Sequence, residues 1–127
     1  HEDWYALRIA ETLLLRAEAY LATGQKDLAA ADVNKVRQRS NAKPVSAANL
    51  DIDYILDERA RELYGEEWRL ITLRRTGKLI ERVLKYNDNP LCPGAFIKPH
   101  NFRWPIPLAD IDLNIDADFP QNPGYDQ

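Results

Sequence analysis

A dense run of ionisable side chains crosses the middle of this 127-residue sequence: Glu58, Arg59, Arg61, Glu62, Glu66, Glu67 and Arg69. Glu58 and Glu62 stand four apart, so on a helix they share one face, and paired carboxylates are what a two-carboxylate glycoside hydrolase requires. The acid and the base of such an enzyme flank the scissile bond from opposite sides, a placement that neighbours on one helix serve poorly. The residues read more simply as a partly buried network of ion pairs and helix caps. An unpaired charge in an interior is too costly to keep, so arginines and glutamates on a packed helix pair with one another.

Other candidate chemistry is thinner. In "DIDLNID" the side chains of Asp110, Asp112, Asn114, Asp116 and Asp118 alternate as the early ligands of a calcium loop do. The glycine of the sharp turn would fall at Ile115 and the closing glutamate at Gln121, so the pattern fails at both places. The expectation is that the aspartates face water while Ile111, Leu113 and Ile115 face protein. His1 and His100 are isolated, no Cys/His pair has zinc spacing, and no phosphate-binding loop is present. Cys92, beside Pro93 and Gly94, is the only cysteine; it reads as an inert turn residue and allows no internal disulfide. Trp4, Trp68 and Trp104 have the rings to stack on sugars, but tryptophans at such spacing read as core. No catalytic residue, metal site or cofactor is expected.

The totals bound the rest. A chain of 127 residues is expected to form one domain around one core. Its hydrophobic fraction of 45% and charged fraction of 29% are those of a globular protein, and a net charge of -3 gives no case for nucleic acid or anionic lipid as partner. The sequence contains no methionine and begins with His1, from which the start of translation is expected upstream.

These side chains must be positioned by helices. From Asp3 to Thr23 apolar residues recur at Leu7, Ala10, Leu13, Leu14, Ala17, Tyr20 and Leu21, the three-and-four spacing of an amphipathic helix. Gly24 is placed to end it, and Asp27 to cap a second helix running to about Arg39 with Leu28, Ala29, Val33 and Val36 buried. Residues 1–40 thus predict an antiparallel hairpin. Leu13, Ala17, Tyr20, Gly24 and Ala29 match the spacing of a tetratricopeptide repeat. A polar linker, "SNAKPVSAAN", precedes helices over 49–87. Their first face is Ile52, Ile55, Leu56 and Leu63, with Arg59 among them, and helical spacing continues through Glu62, Glu66, Arg69, Leu70 and Leu73 to Gly77. A last helix from Lys78 to Tyr86 is expected to pack through Leu79, Ile80, Val83 and Leu84.

Residues 88–127 read as an irregular strap. The stretch from Phe102 onward holds four of the eight prolines, which fix φ and suppress helix and central-strand pairing. It is also apolar, and Trp104, Ile106, Ile111, Phe119 and Tyr125 are expected to anchor it across the helices.

Taken together, three segments resemble the C-terminal portion of the SusD/RagB family of surface nutrient-binding lipoproteins of Bacteroidetes. "RIAETLLLRAEAYLATG" is similar to the family's R-x-A-E-x-L-L-x-R-A-E-A through Arg8, Ala10, Glu11, Leu13, Leu14, Arg16, Ala17, Glu18 and Ala19. "LDERARELYGEEWRLITLRRTGKL" resembles E-R-x-x-E-L-x-x-E-G-x-R-x-x-D-L-x-R-x-G through Glu58, Arg59, Glu62, Leu63, Glu66, Arg69, Leu73, Arg75 and Gly77, with Glu67 where the family has glycine and Thr72 where it has aspartate. Trp104, Pro105, Ile106, Pro107 and Asn114, then Gln121, Asn122, Pro123, Gly124 and Tyr125, resemble the closing P-I-P-x-x-E-I-x-x-N and Q-N-P-G-Y, with Asp110 for the usual glutamate.

The resemblance implies an all-α fold of tetratricopeptide-like hairpins with an irregular, proline-rich strap, here part of a larger protein. It implies a lipoprotein of the outer membrane, held only by a lipid anchor outside this chain, and no enzyme. The implied partner is a TonB-dependent SusC-like transporter. The implied ligand is a glycan, or in some relatives a peptide, met through parts of the protein outside this chain, so the motif residues are expected to be scaffold. The rival reading is a tetratricopeptide interaction module. An upstream lipoprotein signal with an acceptor cysteine separates the first from the second, which predicts upstream repeats of roughly 34 residues.

Overall fold

The computed structural model describes residues 7–125. Among them the regular elements are helical, with no strand, and the fold is all-α as the apolar spacing predicts. The chain divides into two compact units, His1–Glu67 and Trp68–Gln127.

In the first unit, α1 (Ile9–Ala22) and α2 (Lys26–Arg39) are joined by the turn Thr23–Gln25. The predicted start at Asp3 lies outside the described residues. Leu7 and Arg8 precede the helix, and Arg8 is extended because its guanidinium reaches across to the end of a later helix. The turn follows from glycine chemistry. Gly24 adopts φ +78°, and the amides of Gly24 and Gln25 close back on the carbonyls of Leu21 and Tyr20 at 3.1 and 2.8 Å, which satisfies acceptors that a helix end would otherwise leave bare. Because that closure already uses Gln25, α2 starts at Lys26 with no side-chain cap. Asp27, expected as the cap, lies in its first turn, where a carboxylate favours the helix dipole. Ala10, Leu14 and Ala17 of α1 pack with Ala29, Ala30, Val33 and Val36 of α2, while Leu28 faces outward, contrary to expectation.

α2 ends on the same closure with Asn41 at φ 54° in the glycine's place. The following linker is polar by composition yet docked. Val45 and Leu50 enter the core, and the Asn34 side chain donates to the Val45 carbonyl at 2.9 Å and accepts from the Val45 amide at 2.8 Å. Asp51 accepts from the Tyr54 amide at 2.7 Å and so opens α3 (Ile52–Glu62). Ile55 and Leu56 are fully buried, and so is Arg59. The helical spacing expected to run on through Glu66 and Arg69 is interrupted. Leu63 ends α3 and Gly65, at φ +77°, reverses the chain before α4 (Arg69–Arg75).

In the second unit, α4 and α5 (Leu79–Tyr86) are separated by Gly77 at φ +71°. Thr72, Leu73, Leu79 and Arg82 are buried, whereas Leu70 and Leu84, expected inside, are exposed. The chain beyond is not wholly irregular. It forms 3-10 turns at Gly94–Phe96 and Pro99–Phe102 and a short helix, α6 (Leu108–Leu113). Gly94 is required by packing: a Cβ there would lie 2.6 Å from the Val83 carbonyl oxygen of α5.

The expected apolar anchoring of the tail holds only in part. Ile106, Ile111 and Tyr125 are half-buried, but Trp104 is 61% exposed and Phe119 is exposed as well. Leu113 and Ile115, expected to face protein, are 79% and 87% exposed.

The Asn34 clamp yields a direct test. Asn34→Ala removes both hydrogen bonds and leaves buried backbone groups of Val45 without partners, so the chain should lose about 1–3 kcal/mol in urea titration.

Candidate functional site

The two carboxylates that suggested hydrolase chemistry are both occupied by arginines. Glu58 accepts from Arg37 at 2.5 Å and Arg61 at 2.7 Å, and Glu62 from Arg8 at 2.7 Å and Arg39 at 2.9 Å. Arg8 also donates to Glu66 at 2.5 Å and to the backbone carbonyl of Glu62. Burial alone would raise Glu62, but the guanidiniums of Arg8 and Arg39 outweigh it and hold its carboxyl below the ordinary range. A glycosidase acid needs the reverse shift. Asp32, buried on α2, takes a two-pronged pair from Arg16 at 2.6 and 2.7 Å, and that hydrogen-bonded pair likewise holds it below the ordinary range against desolvation.

Arg59 is the centre of a second group. Its side chain is 1% exposed and lies 2.6 Å from Glu67, 3.4 Å from Glu11 and 3.6 Å from Glu18. Glu11 and Glu18 project from α1 two turns apart, and Glu67 arrives through the reversal at Gly65. The residue expected to be glycine by resemblance therefore supplies the shortest contact. Of the sequence-selected residues, Arg8, Glu11, Arg16, Glu18, Glu58, Arg59 and Glu62 meet in this unit. Glu67, a member of the charged run, completes the pairs together with Asp32, Arg37 and Arg39, which the sequence does not single out. On α2, Asp32 and Arg39 are seven apart and Arg37 lies between them, so the opposing charges were visible but their partners on other helices were not.

The other selected residues lie in the second unit, where Arg69 opens α4 and Gly77 ends it. The tail builds a clamp from side chains onto backbone. Gln121 accepts from the Ile106 amide at 2.7 Å and donates to the Ile106 carbonyl at 2.8 Å, as a neighbouring strand would. Asn122 donates to the Trp104 carbonyl and the Tyr125 hydroxyl to the Arg103 carbonyl, each at 2.7 Å. Pro105 and Pro107 flank the held Ile106, and proline lacks the amide that such pairing would use. Pro123 and Gly124 make the turn that aligns the three side chains. Gly124, at φ +92°, sits under His100, where a Cβ would approach the His100 Cβ to 2.5 Å. The His100 ring meets Tyr125 edge-on at 4.9 Å. Trp104 rests on the Arg74 guanidinium at 4.5 Å, and Arg74 donates to the Asn101 carbonyl at 2.9 Å. A shallow pocket of about 370 Å³ is lined by Pro99, His100, Phe102, Arg103 and Pro123.

The tryptophans differ from expectation. Trp68 is 80% exposed and Trp104 is covered chiefly on its Arg74 side, so neither is core in this chain; Trp4 lies outside the described residues. Among the described residues no group of His, Cys, Asp or Glu is placed to hold a metal ion, and the tail aspartates lie along the exposed surface.

Two measurements probe the charge networks. Arg59→Ala would leave Glu67 and Glu18 buried beside a cavity, with an expected loss of about 3–5 kcal/mol and a lower thermal midpoint. For acid pH, the lowered carboxyls of Asp32 and Glu62 contribute stability that is complete above their unfolded values, about pH 4, and is lost as pH falls through their lower folded values. The urea midpoint should therefore fall on acidification below that point, and Arg16→Ala should make the fall shallower.

The comparisons cover the chain almost end to end. The SusD family model matches residues 1–125. The chain is 31% identical over 127 residues to SusD-like protein P25 of Formosa agariphila, covering 93% of this chain and 24% of that protein. It is 32% identical over 119 residues to SusD-like protein P38 of the same organism, covering 85% of this chain and 23% of that one. No solved structure matches. The chain spans about a quarter of the length of these curated relatives, and it belongs to the SusD family.

Proposed function

We propose that this chain is a scaffold part of a cell-surface, glycan-binding SusD-like lipoprotein that delivers oligosaccharides to a TonB-dependent SusC-like transporter at the outer membrane. Membership of the SusD family over residues 1–125 carries the reading. The geometry supports the scaffold role: the motif arginines and glutamates face one another, and the motif side chains of the tail face backbone. Arg16, Arg59, Glu62 and Arg69 are structural in this reading, and the chain carries out no catalysis. No helix among the described residues is long and apolar enough to cross a membrane. The glycan, or a peptide in its place, is met by parts of the protein outside these residues.

The α1–α2 hairpin favours a second reading, a tetratricopeptide-type protein interaction module, because Ala17 and Ala29, at two positions of that repeat's pattern, are fully buried in its core.

Affinity electrophoresis against a panel of glycans separates them. The full-length protein should be retarded by at least one glycan, while residues 1–127 alone should not, and neither should release reducing sugar. Strong retardation of the isolated chain, abolished by Trp104→Ala or Trp68→Ala, would move the binding site into these residues. Failure of the full-length protein to bind any glycan, together with capture of a peptide in a helical groove, would favour the interaction module.

A further inference from the structure

We draw no further inference here: the strongest candidate, the exposed apolar patch of Leu108, Leu113, Ile115 and Phe119 on the 107–120 loop that Gln121 closes at its neck, carries nothing because nothing in the structure shows what covers it.

Discussion

One guanidinium holds the first unit in register. Arg59 sits among Ile55, Leu56 and Leu63, and its three carboxylate neighbours come from α1 and from the turn after α3. Desolvating such a group is expensive, and the attraction of its partners repays this only when they arrive from the right directions together. Two Glu positions on α1 fix that helix along and around its axis. Glu67 fixes the reversal at Gly65. A buried arginine of this kind adds little net stability compared with well-packed apolar side chains of similar volume, but it makes a slipped or rotated α1 far less favourable than the native one. The outer pairs, Arg8 and Arg39 on Glu62 and Arg37 on Glu58, extend the same connection to the end of α2.

The second unit solves a different problem. Its tail is interrupted by proline, so backbone cannot pair continuously with backbone along 103–107, and the half-buried backbone groups of Ile106 would be left without partners. Side-chain amides and a phenol take over that role. This explains how a segment whose large apolar residues are mostly exposed is nonetheless ordered: its shape is set by directional bonds at Arg103, Trp104 and Ile106, with apolar burial a lesser contribution.

What could be read from the residues divides along the same physical line. Helical periodicity, glycine stops and the intrusion of Arg59 into an apolar face are local patterns, and they located the hairpin, α3, α5 and the buried charge. Partners distant in sequence left no local trace. Nothing in "AKPVSA" announces that Asn34 will seat Val45, and nothing around Asp32 names Arg16. Gly65 was a legible breaker, yet the strong spacing from Glu58 to Leu73 masked it. For the tail, apolar composition suggested burial, whereas the structure uses Gln121, Asn122 and Tyr125 as backbone surrogates; a run of polar residues with proline and glycine does not disclose whose carbonyls it will meet. Leu28, Leu84, Leu113 and Ile115 mark the other failure, since hydrophobicity says that a side chain prefers cover but not which body provides it.

The clamp also has a direction in time. Every side chain that hydrogen-bonds the backbone of residues 103–106 lies 15 or more positions later in the sequence, so during synthesis the Arg103–Ile106 segment emerges from the ribosome before those groups do. At translation rates of about 5–20 residues per second, that interval is on the order of a second. For that time Trp104 and the loop that follows it are unfastened, while the helices of the first unit, whose partners have all emerged, are already free to assemble. The nascent chain thus fastens its tail as a separate and later step than its hairpin, and a delay in the emergence of Gln121 to Tyr125 would lengthen that interval without touching the helical core.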